Sequence, residues 1–427
     1  MRTTVIGSGP SGMTAAVLLA RQGHEVTLVD RDPGPADARP WKRVGVMQFH
    51  LPHAFRAQCR ALLLARLPDL YDALVAAGVD DRGDLLHARR STFERAMWNH
   101  ASCEPRVQRV CGHVDRIDVE CNLARAVLVD GHRRIDCDLV VDASGRSGRP
   151  SAAHRPGGTS TDAGVAYAAR QYQLLPGTQP GPTNGGPGIV HEADGFVAML
   201  FLHDAGTFTV LFVRSKDDDA LAGLREPAAF DAATQLLPDL AAWTDPARSE
   251  PIDRVRSGAG IFNGYRGQST SVCNLLAIGD SVCTTNPMGA RGVALGMASA
   301  AALADIVATT PIETWGPELD AWCLANQKTW HDDHVITDRA LFAQWRGEPV
   351  DVDGPISWML VASAAGEHHP EWMAALGPFF AMHAPPVSLD PLRAEVRAML
   401  REGWRPASPA GPTRDELARA IITRVAA

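Results

Sequence analysis

Three glycines near the start of the chain have the spacing of a phosphate-binding turn. Gly7, Gly9 and Gly12 form a Gly-x-Gly-x-x-Gly pattern within TTVIGSGPSGMTAAVLLARQGHEVTLVDRD. In such a turn the first glycine permits the bend, the second lets a pyrophosphate approach the backbone, and the third lets the helix pack on the strand. Asp30 ends the next apolar run, where an acid can hold a ribose hydroxyl. The segment predicts a strand–helix–strand unit that binds a dinucleotide, without deciding between NAD and FAD.

Two later segments also end an apolar run in an acid and a glycine. IDCDLVVDASGRSGRPS reaches Asp142 and then Gly145, and NLLAIGDSVCTTNPMGARG reaches Gly279 and Asp280. Two such strand ends do not fit a simple NAD-dependent dehydrogenase. Together with the N-terminal unit, they resemble the flavoprotein monooxygenase superfamily, which includes para-hydroxybenzoate hydroxylase, squalene epoxidase, flavin-dependent halogenases and geranylgeranyl reductases.

The resemblance implies that the cofactor is FAD and that its binding residues are spread over the chain. The glycine turn and Asp30 correspond to the site of the ADP half, and Arg90 in RSTFERAMW corresponds to an arginine that reaches the flavin's phosphate or ribityl region. Asp280 corresponds to the acid that bonds the ribityl chain, and PMGARG after it to the turn that carries the isoalloxazine ring. The predicted cofactor-binding residues are Gly7, Gly9, Gly12, Asp30, Arg31, Arg43, Arg90, Val114, Asp142, Gly145, Gly279, Asp280, Pro287, Gly289, Gly292 and Val293.

The order of the motifs implies an α/β (α+β) fold. It consists of a Rossmann-like FAD-binding domain, an inserted antiparallel substrate-binding sheet and a C-terminal helical region. We expect residues 1–150 and 265–330 to form the FAD-binding domain, residues 151–264 the inserted sheet, and residues 331–427 the helical region. Alternating segments such as GIVHEADGFVAMLFLHD support strands in the insertion. Candidate pocket-lining side chains on this sheet, each of which could equally be ordinary core, are Tyr167, Arg170, Tyr172, Phe201 and Phe212.

The connection after the second strand contains two candidate catalytic histidines. In this superfamily that connection passes beside the flavin, and here it includes the sequence FHLPHAF. His50 or His53 could act as an acid or base or orient a substrate, because imidazole titrates near neutral pH. The alternative is a turn broken at Pro52 with both histidines as surface or capping groups. Arg43 and Gln48 in the same connection are candidates for contact with the cofactor.

A histidine- and aspartate-rich segment, TWHDDHVITDR, has some of the marks of a metal site. His331 and His334 are three residues apart on one helical face, but Asp332 and Asp333 between them point away from that face. The pattern therefore favours a solvated helical face, and we expect no metal ion.

Composition limits the partners and the location. The 427 residues carry a formal net charge of −8 and no basic block, which argues against nucleic acid as a main partner. The longest apolar stretch, residues 293–304, stops at Asp305 and is too short to span a bilayer. MRTTVIGSG at the start does not read as a signal peptide, and the eight cysteines lack paired spacing. We expect a cytoplasmic protein with reduced thiols.

The resemblance implies an FAD-dependent monooxygenase. Such an enzyme hydroxylates or epoxidises a small aromatic or olefinic substrate, a class that includes secondary metabolites, through a flavin C4a-hydroperoxide. NAD(P)H or a separate flavin reductase supplies the electrons. Ser281, Val282 and Cys283 follow the Gly-Asp pair where phenol hydroxylases have Ala-Ala-His, so other branches remain open. The alternatives are a reductase or dehydrogenase acting on a carbon–carbon double bond, a flavin-dependent halogenase, and a non-catalytic FAD-binding protein.

Overall fold

The computed structural model describes residues 1–36, 41, 43, 45–269 and 271–425. The strands are β1 (Arg2–Ile6), β2 (Glu25–Asp30), β3 (Phe55–Arg56), β4 (Asp80–Asp81), β5 (Leu85–His87), β6 (Val107–Cys111), β7 (Val114–Glu120), β8 (Leu123–Val129), β9 (Arg133–Asp136), β10 (Leu139–Asp142), β11 (Thr159–Asp162), β12 (Val165–Leu174), β13 (Gly188–Ala193), β14 (Phe196–Leu202), β15 (Thr207–Ser215), β16 (Ser249–Pro251), β17 (Arg256–Gly258), β18 (Phe262–Tyr265), β19 (Leu275–Ala277) and β20 (Cys283–Thr284). The helices are α1 (Pro10–Arg21), α2 (Ala57–Arg66), α3 (Pro68–Ala76), α4 (Arg90–Cys103), α5 (Pro227–Gln235), α6 (Pro238–Thr244), α7 (Gly292–Thr309), α8 (Trp315–Cys323), α9 (Thr329–Trp345), α10 (Trp358–Glu367), α11 (Met373–Phe380), α12 (Asp390–Arg401) and α13 (Arg414–Val425).

A five-stranded parallel sheet carries the three predicted motifs. Its strand order is β19-β10-β1-β2-β6, so the late strand β19 joins a sheet whose other strands come from the first 142 residues. Helices α1 and α7 cross closely on this sheet because small residues meet there. A Cβ on either Gly279 or Gly296 would overlap the hydroxyl of Ser11. Because the strands are parallel, the carboxyl ends of β1, β2, β10 and β19 lie at one edge of the sheet, where ligands of such sheets bind.

An antiparallel sheet forms the second layer of the molecule, in the order β13-β14-β15-β12-β16. Side chains alternate between its two faces, as the pleat requires. One face buries Val197, Met199 and Phe201 with residues of β12, and the other packs Phe196 and Phe212 against the layer of α5, α6 and α13. The predicted fold class is thus confirmed. The boundaries of the four predicted domains stay a prediction. The last helix, α13, packs against α5 and the antiparallel sheet.

Helix α7 is long and apolar enough to cross a membrane by length and composition. It spans 18 residues with a mean hydropathy of 1.6, and 61% of it is buried inside the protein. Burial of this extent is common for core helices of soluble proteins. Cytoplasmic localisation stays a prediction.

Helix α9 contradicts the expected solvated face of residues 329–339. His331, Asp333, His334 and Asp338 are all buried, whereas Asp332 and Arg339 are exposed. For the two buried acids the expectation failed because their partners come from other elements, which sequence spacing does not show. Asp333 pairs with Arg291 and Arg393. Asp338 accepts hydrogen bonds from Asn263 and Asn286. Among the described residues, no group of three or more His, Cys, Asp or Glu side chains could hold a metal ion.

Candidate functional site

A cavity of about 590 Å³ lies along the carboxyl edge of the parallel sheet and reaches the antiparallel sheet. It brings together residues from all three motifs. The predicted cofactor-binding residues that line it are Gly7, Gly9, Asp30, Arg31, Arg43, Arg90, Val114, Gly145, Asp280, Pro287, Gly292 and Val293. Gly12, Asp142, Gly279 and Gly289 lie outside the described lining of the cavity. The volume falls within the range of cofactor and small-molecule sites.

The glycine turn between β1 and α1 shows why each glycine is needed. Gly7 has a positive φ of +103°, and a Cβ there would overlap the carbonyl of Ala143. A Cβ on Gly12 would overlap the carbonyl of Gly7. At Gly9, by contrast, no described atom lies within 4 Å of a Cβ position, and the residue faces the cavity. Two glycines therefore serve packing, and Gly9 leaves room for a ligand.

The start of α1 is suited to an anion. Within the described residues, α1 has neither a side-chain cap at Gly9 nor an acidic residue in its first turn. The free amides and the positive end of the helix dipole thus point toward the cavity.

Asp30 and Arg43 form the centre of an ion cluster beside the glycine turn. Asp30 Oδ2 accepts hydrogen bonds from the Ser8 amide and hydroxyl, both at 2.7 Å, and from Arg43 at 2.9 Å. Arg43 also pairs with Asp32 at 3.3 Å and Glu94 at 2.8 Å. Asp30 Oδ1 accepts only the Asp32 amide among the described residues, which leaves acceptor capacity for a ribose hydroxyl.

Arg90 lies at the start of α4 and is oriented by Glu94 on the same helix, with which it forms an ion pair. Glu94 is fully buried and receives Arg43 as well, so one carboxylate holds two guanidiniums that line the cavity. Glu94, Ser8 and Asp32 were not predicted. The spacing of Arg90 and Glu94, four residues apart in a helix, was the available signal for the first of them.

Asp280 faces the cavity at the end of the segment that follows β19. Burial raises the pKa of its carboxyl, and the nearby positive charges of Arg90 and Arg146 limit the rise. Asp280 lines the cavity, and its role at the ribityl chain stays a prediction. Arg146, which lies over the ring of Phe262, also lines the cavity and was not predicted.

Asp142 is placed differently from the prediction that it binds cofactor. Its carboxylate is fully buried and accepts hydrogen bonds from the Ser144 amide at 2.9 Å and from the amide and hydroxyl of Ser151. It shapes the loop that presents Gly145 to the cavity. Gly289 also lies outside the described lining of the cavity. Its carbonyl accepts a hydrogen bond from Arg56 at 2.7 Å, and its Cα packs against His334, where a Cβ would overlap the ring.

The two candidate catalytic histidines are in different environments. His53 lines the cavity, whereas His50 ends a short 3₁₀ helix outside its described lining and packs on Phe49. The His53 ring nitrogens lie 3.0 Å from the Leu51 carbonyl and 3.1 Å from Arg90. Burial, reinforced by Arg90, lowers the pKa of His53 to about 3. A neutral His53 therefore donates to Leu51 and accepts from Arg90.

His203 provides a pH-dependent stability prediction near this site. It is 8% exposed, and burial lowers its pKa to about 3. Because an unfolded histidine titrates near 6.5, the unfolded state binds the extra proton as the pH falls below that value, and stability is lost. We expect H203Q to lose less free energy of unfolding than wild type from pH 6.5 to 4.5, by up to about 1.4 kcal/mol per pH unit. Urea denaturation at several pH values measures this. An equal change of the free energy of unfolding with pH in H203Q and wild type would refute it.

The sheet-facing part of the cavity is apolar. Of the five predicted sheet residues, Tyr167 and Phe201 line it, together with Leu211, Ile261 and Phe262. Arg170 instead pairs with Asp231, while Tyr172 and Phe212 pack on the opposite face of the sheet. The strict alternation along a strand would have separated Leu211 from Phe212, but only with the register known.

The residues present fit FAD. Gly9 and the uncapped helix start suit a pyrophosphate, and Asp30 has a free acceptor position for a ribose. Ser144 lines the cavity with a buried hydroxyl that has no hydrogen-bond partner among the described residues. Such an orphaned group, in a cavity that Asp280 and Arg90 also line, requires a polar ligand or water.

Comparisons with known proteins agree with this interpretation. Residues 2–143 match the sequence family described as FAD dependent oxidoreductase. A segment of 49 residues is 45% identical to a D-amino acid dehydrogenase of Sinorhizobium medicae (strain WSM419), but it covers 12% of each chain. The predicted recognition as an FAD-dependent oxidoreductase, with FAD as cofactor, is confirmed at that level.

Solved structures share most of the fold at low sequence identity. The flavin-dependent brominase Bmp2 has a TM-score of 0.68 at 15% identity, covering 94% of this chain and 98% of that one. A probable FAD-dependent monooxygenase, pqsL of Pseudomonas aeruginosa, has a TM-score of 0.62 at 15% identity, covering 81% and 98%. A flavoprotein/dehydrogenase of Cytophaga hutchinsonii has 0.65 at 14%, covering 94% and 98%. At these identities the likeness establishes the fold alone.

Proposed function

We propose that the protein is an FAD-dependent monooxygenase that acts on a small, largely apolar organic substrate, aromatic or olefinic. The observation that carries the proposal is the continuity of the cavity. One space runs from the glycine turn, past Asp280, to the apolar face formed by Phe201, Leu211 and Ile261. A substrate on that face would lie beside the end of the cofactor that Pro287 to Val293 receive.

The distribution of charge in the cavity supports a cofactor part and a separate substrate part. Its described guanidiniums and carboxylates come mainly from the parallel-sheet side and its loops, where the cofactor's phosphates and sugar hydroxyls need them. The sheet contributes aliphatic and aromatic side chains, which exclude water from the reacting centre.

The chain's own residues have binding and orienting roles in this proposal. Gly9 and the first amides of α1 bind the pyrophosphate, Asp30 the ribose, and Asp280 the ribityl hydroxyls. Arg90, held by Glu94, offers a positive charge between these sites. His53 is a candidate for orienting Arg90 or substrate, since its neutral ring already contacts that guanidinium. When bound, FAD supplies two-electron transfer and the activation of oxygen.

The reaction balances with one reductant. One oxygen atom of O₂ enters the substrate and the other leaves as water, while NAD(P)H, directly or through a separate flavin reductase, supplies two electrons. The proposed partners are therefore a small-molecule substrate and this electron donor.

Oxygen dependence tests the proposal. The FAD-loaded protein is incubated with NAD(P)H, with and without a flavin reductase, and a panel of aromatic and olefinic compounds under isotopically heavy O₂. We expect substrate-dependent oxygen uptake and a product that carries one heavy oxygen atom. If product forms equally well without oxygen, the enzyme is instead a reductase acting on a double bond. A halogenated product in the presence of bromide or chloride would indicate a halogenase.

A further inference from the structure

A buried hydrogen-bond cluster lies directly behind the turn that lines the far end of the cavity. Its centre is Asp338 of α9, which is 4% exposed. Asp338 Oδ1 accepts the Asn286 side-chain amide at 2.8 Å, and Oδ2 accepts that of Asn263 at 2.6 Å. Both asparagines are fully buried. None of these three residues lines the described cavity, so the cluster supports the site without touching a ligand in it.

Asn286 connects this acid to two walls of the cavity. Its Oδ1 accepts the Met288 amide at 3.2 Å and the hydroxyl of Tyr167. Met288 belongs to the turn of residues 287–292, and Tyr167 belongs to β12 of the apolar sheet. Both residues line the cavity. One side-chain amide thus joins the cofactor wall to the substrate wall.

The direction of each hydrogen bond follows from the acid. A carboxylate can only accept, so both asparagines must present their Nδ2 groups to Asp338. Their oxygens are then turned outward, where Asn263 Oδ1 accepts the Asn286 backbone amide at 2.7 Å and Asn286 Oδ1 serves Tyr167 and Met288. An amide at position 338 would place a donor against one of these donors.

A second acid of α9 secures the other end of the same turn. Asp333 pairs with Arg291 at 3.0 Å and with Arg393 at 2.7 Å, and all three groups are largely buried. Arg291 lines the cavity and lies over the ring of Trp330. The turn is therefore anchored at Asn286 and at Arg291, on either side of Gly289.

We propose that Asp338 is a positioning residue that, through Asn286, fixes the 287–292 turn relative to Tyr167 and so sets how the flavin ring end meets the substrate sheet. The inference rests on the proposed function insofar as the turn receives the ring. It does not depend on which reaction the enzyme performs.

The protonation state of Asp338 gives the position a spectroscopic signature. Burial raises its pKa to about 6, against the opposing effects of Asn263, Asn286 and Arg291, while Asp333 raises it further. Among the described residues, the groups that act on it most strongly are these four and, through Asn286, Tyr167. Protonation at lower pH converts one oxygen into a donor, and one asparagine must then turn or lose its bond. A flavin seated on the turn would report that change.

The test uses the oxidised, FAD-loaded full chain and needs no turnover. Visible absorbance is recorded from pH 5 to 8 for wild type, D338N and the control D332N. Asp332 is an exposed acid of the same helix that pairs with Lys328 and His331 and has no described contact with Asp338, Asn263 or Asn286, so its replacement leaves the cluster intact. We expect a spectral transition centred near pH 6 in wild type and D332N that is lost in D338N. FAD affinity in D338N should stay within about threefold of wild type, since the ADP end is unchanged.

A second variant keeps the inference testable if D338N does not fold. N263A removes one donor from Asp338, which stabilises the protonated form, and the transition should move to higher pH. A wild-type spectrum that does not change with pH, a transition that persists in D338N, or one that is lost equally in D332N would each overturn the inference. Failure of the protein to take up FAD at all would contradict the proposed function as well, so the two failures are distinguishable.

Discussion

The variant G9V is expected to fold normally and to bind FAD about 100-fold more weakly than wild type. Gly9 has an ordinary φ of −74°, and no described atom would contact its Cβ, so the fold accommodates the valine. The isopropyl group would nevertheless project into the cavity at the open amides of α1. Loss of two hydrogen bonds to a charged phosphate accounts for an effect of this size. Flavin fluorescence titration measures the affinity, and circular dichroism the fold.

Two other glycines provide controls for G9V. Gly157 is exposed, has open space around its Cβ position and lies outside the described lining of the cavity, so G157V should bind FAD like wild type. G12V should fail differently, because its side chain would overlap the Gly7 carbonyl and disrupt the packing of α1. Unchanged FAD affinity in folded G9V would show that the pyrophosphate does not lie at this turn.

Replacement of Arg43 by methionine should lower the free energy of unfolding by about 3–5 kcal/mol, the usual cost of leaving buried charges unpaired. The Arg43 side chain is 3% exposed and serves Asp30, Asp32 and Glu94 at once. Glu94 would keep only Arg90 as its partner among the described residues, and Asp30 only Ser8 and the Asp32 amide. FAD affinity should fall as well, since the glycine turn is tied to Asp30 through Ser8.

Denaturation of R43M with and without FAD measures both effects. R106M is the matched control, because Arg106 pairs with Glu25 on the surface and such pairs contribute about 0–1 kcal/mol. R43K should be intermediate, as lysine keeps the charge but cannot reproduce a guanidinium that reaches three carboxylates. A loss in R43M no larger than that in R106M would mean that the cluster does not stabilise the fold.

The first strand–helix–strand unit was predictable because its requirements are local. β1, α1 and β2 form where the sequence places them, and the needs of Gly7 and Gly12 arise from neighbouring backbone. Asp280 was predicted as a site residue because its Gly-Asp pair resembles a motif of the flavoprotein family, and it lines the cavity.

The roles of other acids depend on partners distant in sequence, and the sequence could not decide them. Asp142 carries the expected motif, but the amide and hydroxyl of Ser151 donate hydrogen bonds to its carboxylate. The residue is therefore buried outside the described lining of the cavity. The acids of α9 looked solvated because Arg291, Arg393 and the asparagines that satisfy them come from other elements. Which aromatic residues of the antiparallel sheet face the cavity depends on the pairing register of its strands, which the sequence does not give.

The most direct test of the central claim is a titration of the FAD-free protein with FAD, followed by visible absorbance and flavin fluorescence. The account predicts saturable binding of a single FAD per chain, a yellow protein after gel filtration, and binding that is about 100-fold weaker in G9V but unchanged in G157V. A folded wild-type protein that stays colourless at saturating FAD would contradict it.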